Sequence, residues 1–122
     1  MIFVVHEHWA THHHFDFRLE MDGVLKSWAV PKDLPLESGV ERLAVAVEDH
    51  PLEYGSFEGT NPEGEYGAGK VEVWDSGDYL LKEKSTRKLR FQLNGKKLQG
   101  DYELVFMKGE RGRQQWLLFK RK

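Results

Sequence analysis

The run Thr11-His12-His13-His14-Phe15-Asp16-Phe17-Arg18-Leu19-Glu20 carries the side chains most able to do chemistry in this chain. On a strand, alternate side chains share a face. His14, Asp16, Arg18 and Glu20 therefore lie on one side, and Phe15, Phe17, Leu19 and Met21 on the other. Residues two apart stand roughly 7 Å apart at Cα, from a rise of about 3.3 Å per residue, so an imidazole and a carboxylate at that spacing can converge on one metal ion. An arginine next along the face suits an anionic ligand, above all phosphate, through bidentate hydrogen bonds. The plain alternative for a lone His-x-Asp is a solvated polar face. Five of the six histidines fall between His6 and His14, however, and an expression tag would not run on into Phe-Asp-Phe-Arg-Leu-Glu. Metal binding is the better reading. With no cysteine in the chain, disulfides, thiolate zinc sites and cysteine nucleophiles are excluded, which leaves nitrogen and oxygen donors suited to Mn, Fe, Ni, Cu or Zn.

A second segment, Arg42-Leu43-Ala44-Val45-Ala46-Val47-Glu48-Asp49-His50, repeats the alternation. Leu43, Val45 and Val47 are expected to face the core. Arg42, the small Ala44 and Ala46, Glu48 and His50 would then leave room for a ligand over the sheet; an ordinary half-exposed strand is the alternative.

The elements that must position these residues are short alternating runs separated by turn chemistry, with no helix of ordinary length. Strands are expected at 2–5, 14–21, 24–30, 42–48, 70–74, 78–83, 88–93, 98–106 and 114–120. Asp22-Gly23 has the character of a two-residue type I′ hairpin turn, and Asn94-Gly95 carries the same signal. The segment 108–112 reads as a mobile hairpin loop. The segments 31–41 and 51–69 read as irregular connections, the second glycine-rich and on a functional surface. Within it, Gly64-Glu65-Tyr66-Gly67-Ala68-Gly69 reads as a tight turn and not a nucleotide fingerprint, since no helix follows. Trp28, Trp74 and Trp116 lie in strand patterns as core or barrel cover; Trp9 is left open.

The expected fold is all-β, a small closed or nearly closed barrel of about eight strands, which leaves few exposed edges. Its 122 residues, 39% hydrophobic and 12% aromatic, fit one domain over 1–122. A formal net charge of −2, from 18 Lys+Arg against 20 Asp+Glu, argues against coating nucleic acid through bulk charge and points to a local contact at an end or junction. No apolar run approaches the ~20 residues that span a bilayer, and the first residues lack the pattern of a signal peptide. A cytoplasmic protein without membrane attachment is expected.

Several motifs, in order, closely resemble the 3′-phosphoesterase domain of bacterial DNA ligase D. They are Val4-Val5-x-x-His8; His14-Phe15-Asp16-Phe17-Arg18-Leu19-Glu20; Gly23-Val24-Leu25-Lys26-Ser27-Trp28-Ala29-Val30-Pro31-Lys32; Arg42-Leu43-Ala44-Val45; Glu48-Asp49-His50-Pro51-Leu52-Glu53-Tyr54; and Phe57-Glu58-Gly59 leading to Pro62-Glu63-Gly64-Glu65-Tyr66-Gly67-Ala68-Gly69. The resemblance is firm from about Phe3 to Trp74 and weaker beyond. It implies a β-barrel with its active site in a polar surface groove. It also implies a Mn²⁺-dependent enzyme, with Co²⁺ or Zn²⁺ as alternatives, acting on the 3′ ends of nucleic acid. In the family a phosphodiesterase step removes a terminal ribonucleoside, and a phosphomonoesterase step removes the 3′-phosphate left behind. By motif, His8, His14 and Asp16 would be metal ligands. Arg18 and His50 would hold the scissile phosphate, and Lys32, Arg42, Glu48 and Tyr54 would line the groove. His50 suits a general acid or an additional phosphate donor.

The resemblance further implies a monomer in the service of end joining, working with a separate ATP-dependent DNA ligase and a polymerase. The chain departs from the family at His12-His13, whose extra imidazoles are expected to compete for metal, and in a shorter N-terminal lead-in. Two other classes fit the residues alone. One is a non-haem Fe(II) oxygenase using His14, Asp16 and His50, although such barrels are generally larger. The other is a non-catalytic nucleic-acid-binding barrel with structural histidines.

Overall fold

Period-two alternation gives a strand one face for an interior, and eight of the nine strands use it to close around a single core. A computed structural model describes residues 1–61 and 69–122. The strands are β1 (Ile2–Trp9), β2 (His13–Met21), β3 (Val24–Val30), β4 (Glu41–His50), β5 (Gly59–Asn61), β6 (Gly69–Lys84), β7 (Lys88–Asn94), β8 (Gln99–Glu110) and β9 (Arg113–Lys120). Their order is β1-β2-β3-β4-β9-β8-β7-β6, all antiparallel, and β6 pairs back onto β1, so eight strands form a closed barrel. β5 lies outside it, against the end of β6. The all-β barrel expected from the sequence is the observed fold.

The interior is filled as the alternation of β2 requires: Phe15, Phe17, Leu19 and Met21 are buried with Phe3, Val5, Phe91, Leu93, Leu104 and Leu118. Trp28 and Trp116 are buried and meet edge-on at 6.1 Å between ring centroids, while Trp74 is half-buried against the same core. Trp9 is exposed.

β4 inverts the expected faces. Ala44 is fully buried and Ala46 packs on the core, whereas Leu43 is exposed and Val45 and Val47 lie on the outer face. Transfer free energy favours the larger side chains inside, but here the interior is already occupied. Ala44 pairs with Trp116 and Ala46 with Trp28, and beside two indoles only a methyl group fits.

Other differences come from long-range contacts. β1 continues past the expected end at Val5 to Trp9, because it is flanked on both sides by β2 and β6. The segments read as two strands at 70–74 and 78–83 are one strand, β6, which pairs first with β1 and then with β7. Asp75, between the two expected strands, accepts the backbone N–H groups of Ser76 and Lys96 at 2.9 Å, Lys97 at 3.1 Å and Leu98 at 2.8 Å. It thereby builds the β7–β8 loop, closed by a Gly95 N–H donating to the Leu98 carbonyl at 2.9 Å, in place of the expected two-residue turn. Gly95 is required there for space, since a Cβ would collide with the Asp75 carboxylate and the Phe3 ring.

Asp22 and Gly23 have φ of 55° and 81°, the I′ geometry read from the sequence. Arg111 and Gly112, at 52° and 76°, form a second such turn, so the expected loop 108–112 shrinks to two residues between strands that run through Glu110 and from Arg113. No helix among the described residues is long and apolar enough to cross a membrane.

Candidate metal centre and phosphate groove

The groove begins on the outer face of β1 and β2. Their register sets Val4 opposite Arg18, His6 opposite Asp16 and His8 opposite His14. β3 adds Ser27 beside Arg18 and Ala29 beside Asp16, and β4 adds Val47 and Val45 in the same rows. Beyond Val47 the strand bulges: two residues, Glu48 and Asp49, stand opposite Lys26, and the Lys26 ammonium pairs with Asp49 at 3.0 Å. The extra residue turns His50 onto the groove face.

Pro51 then leads into a short 3-10 helix, Leu52–Ser56, which folds back over the sheet. Gly55 lies against Ile2, Val4 and Leu25, a small apolar cluster on the outer face that anchors this cover. Tyr54 thereby stacks on His50 at 4.4 Å and on Phe57 at 5.1 Å, and meets His6 edge-on at 5.2 Å.

His8, His14 and Asp16 each offer a ligand atom, and these atoms lie within 4.8 Å of one another. His14 Nε2 is 3.3 Å from Asp16 Oδ1, and His8 Nδ1 is 3.5 Å from Asp16 Oδ2. His14 Nδ1 donates to the His12 carbonyl at 2.9 Å, which fixes the ring with Nε2 turned towards Asp16. Two imidazoles and a carboxylate, one imidazole already oriented from behind, fit a divalent metal.

Arg18 is buried beside this cluster, next along the same face of β2. Its Nε donates to His6 Nδ1 at 3.0 Å, Nη1 to Ser27 Oγ at 2.9 Å and Nη2 to Asp16 Oδ2 at 3.3 Å, and the Tyr54 ring covers the guanidinium at 5.0 Å. Burial alone would push the Asp16 carboxyl up. Hydrogen bonds from His14 and His8 and the charge of Arg18 outweigh it and hold the group well below the usual carboxylate range. His14 is raised, chiefly by its bond to Asp16. His50 is lowered, by burial first and then by Arg18.

His8, His14, Asp16, Arg18, His50 and Tyr54 are thus brought together in one cluster. Glu48 is exposed in the bulge, close enough for its charge to act on His50. Lys32 is exposed in the β3–β4 connection. Arg42 does not reach this cluster among the contacts described: its Nε and Nη2 donate to Asp33 Oδ1 at 3.0 and 2.8 Å. It shares the inward parity of Ala44 at the end of the barrel, on the face that β4 inverts. The expected glycine-rich turn at 64–69 falls, up to Ala68, outside the described residues. His13 is held by Glu7 at 2.8 Å, and His50, which an oxygenase triad requires, is not part of the metal-ligand group.

His6 was missed because the first strand was expected to end at Val5; Ser27, inside the expected strand 24–30, carries no signal of its own. Extending the alternation by three residues places His6 and His8 on one face. His6 is fully buried, and burial first, then the Arg18 charge, lowers it from 6.5 to about 4. Below pH 6.5 the unfolded chain therefore binds a proton that the folded chain refuses, and stability falls as the pH drops towards 4, by about 3 kcal/mol from this group. His50 acts in the same direction and His14 in the opposite one. We expect the urea midpoint to fall across that window and His6→Gln to flatten the fall. An undiminished loss in the variant would contradict it.

A family model described as the DNA Ligase D 3′-phosphoesterase domain matches residues 6–106. The multifunctional non-homologous end joining DNA repair protein LigD of Mycobacterium tuberculosis H37Rv is 49% identical over 124 residues, covering 98% of this chain and 16% of that protein. The LigD of Pseudomonas aeruginosa PAO1 is 49% identical over 126 residues, covering 98% of this chain and 15% of its own length. That of Mycolicibacterium smegmatis is 44% identical over 131 residues, covering 98% and 17%. The chain spans about a sixth of the length of these relatives.

Proposed function

Because the chain belongs to the 3′-phosphoesterase domain family of DNA ligase D, we propose that it is a metal-dependent phosphoesterase that heals the 3′ ends of nucleic acid strands. The reactions proposed are removal of a 3′-terminal ribonucleoside and hydrolysis of the 3′-phosphate left behind. The observation that carries this reading is the convergence of His8, His14 and Asp16 beside the buried Arg18. An anion-binding floor next to a metal-ligand set suits a phosphate ester better than any neutral substrate.

His8, His14 and Asp16 would hold the ion, with Mn²⁺ the proposed metal and Co²⁺ or Zn²⁺ as alternatives. When bound, such an ion polarises a phosphoryl oxygen and acidifies bound water. Arg18 supplies positive charge at the groove floor, held in place by His6 and Ser27, so that it needs no reorganisation as negative charge develops on the phosphoryl oxygens. His50, kept mainly neutral by burial and by Arg18, presents a ring N–H to a phosphate oxygen or leaving group, and Tyr54 fixes its plane. Lys32 and Glu48, both exposed, would border the groove from its rim. Arg42, tied to Asp33, would need to exchange that partner to reach a phosphate. In this reading residues 1–122 form one domain that acts in the cytoplasm as a monomer. It serves a polymerase and an ATP-dependent ligase during end joining.

The test is release of phosphate from a 3′-phosphorylated strand, and of the terminal nucleoside from a strand ending in a ribonucleotide, with and without Mn²⁺. Turnover that requires the metal and disappears with EDTA is expected. Strand binding without turnover in Mn²⁺, Co²⁺ or Zn²⁺ would leave a nucleic-acid-binding barrel, and consumption of 2-oxoglutarate with Fe²⁺ an oxygenase.

A further inference from the structure

The rung of the β1–β2 hairpin next to the metal-ligand pair carries a second pair with no part in the chemistry above. His8 faces His14, and one residue further on Trp9 faces His13. The indole and the imidazole are stacked, 5.6 Å between centroids and 16° between planes. His13 is fixed by Glu7 at 2.8 Å, and the backbone of Trp9 is pinned by β6, where a Cβ on Gly69 would strike the Trp9 carbonyl. The stack is therefore rigid, yet Trp9 remains 37% exposed, the one aromatic among the large hydrophobic side chains exposed in the described residues. The Lys70 ammonium lies over the indole at 5.3 Å.

We propose that Trp9, backed by His13 and flanked by Lys70, is a nucleobase-stacking site for the strand whose 3′ phosphate is processed, a proposal that rests on the function inferred above. A preorganised aromatic face with a cation beside it is what a single strand uses irrespective of sequence, the base on the ring and the phosphate on the ammonium. Consecutive residues of a strand point to opposite faces, so Trp9 stands behind His8 at the open end of the hairpin. A strand leaving the groove crosses the barrel there. The site supplies affinity that a bulk charge of −2 cannot, and it selects an unpaired base, since a base inside a duplex keeps its faces stacked. Lys70, on the exposed surface and paired with Glu72 at 2.8 Å, gives up its place over the indole to the base.

The experiment measures equilibrium binding of a labelled single strand bearing a 3′-phosphate, together with KM and kcat for phosphate release. It uses wild type, Trp9→Ala and Trp9→Phe. A second strand of the same length is abasic near its 3′ end. Trp9→Ala is expected to weaken binding and raise KM about tenfold, with kcat within about twofold. Trp9→Phe recovers most of the loss, and the abasic strand shows little difference between the proteins. Unaltered binding by Trp9→Ala, or an equal loss on the abasic strand, overturns the proposal while leaving the phosphoesterase reading intact. A wild type that neither binds nor processes any strand removes both. An unchanged thermal midpoint in Trp9→Ala excludes a folding defect as the cause.

Discussion

Asp16→Asn is expected to lower phosphate release from a 3′-phosphorylated strand by more than about a hundredfold and to weaken Mn²⁺ binding. This carboxylate lies against both imidazoles of the ligand group and against the buried guanidinium. Asparagine keeps its shape but loses the charge and one acceptor oxygen. Disturbing a residue behind a metal ligand already costs about 10–100-fold in affinity or activity, and a residue that ligates directly is expected to exceed that. High Mn²⁺ should restore part of the rate, because the loss is partly one of occupancy. His8→Ala should behave in the same way from the neighbouring strand. Near-normal turnover by either variant at low Mn²⁺ would remove the ligand assignment.

The second large effect is on stability. Arg18→Ala is expected to destabilise the metal-free protein by about 3 kcal/mol, because breaking a buried ion pair leaves an uncompensated charge. Arg18 is 3% exposed and joins His6, Ser27 and Asp16 in one network. Its loss orphans an imidazole nitrogen and strips Asp16 of its nearest full cation. The thermal midpoint should fall on the order of 10 °C. Mn²⁺ should reduce the deficit, since a bound cation replaces part of the missing charge. Arg18→Ala combined with Asp16→Asn should cost less than the two separate losses together, as expected for residues in contact. Arg18→Lys should not rescue turnover, because an ammonium cannot reproduce a fork that donates to three partners at once. Equal midpoints for wild type and Arg18→Ala with EDTA present would show that the guanidinium is not a structural hub.

Much of this was legible in the chain itself. The alternation of β2 correctly placed four apolar side chains inward and His14, Asp16 and Arg18 outward, because the period of a strand is local and both faces of that segment are unambiguous. Asp22-Gly23 was readable for the same reason: positive φ at two successive residues is a demand made by the turn alone. Likeness to known sequences, and no local pattern, supplied His8.

The residues could not display their partners across strands. His6 acquires its role only when β1 pairs with β2 in the register that sets it against Asp16, with Arg18 within reach. β4 alternates between valine or leucine and alanine, which are both acceptable inside, so its orientation was decided by the room left beside Trp28 and Trp116. The bulge at Glu48 and Asp49, which turns His50 into the groove, and the 3-10 helix, which lays Tyr54 over Arg18, follow from closing the barrel. The sequence by itself determined the chemistry available on one strand face and the all-β class. Only the tertiary structure decided which side chains from other strands complete that face, because register and closure depend on packing between residues far apart in the chain.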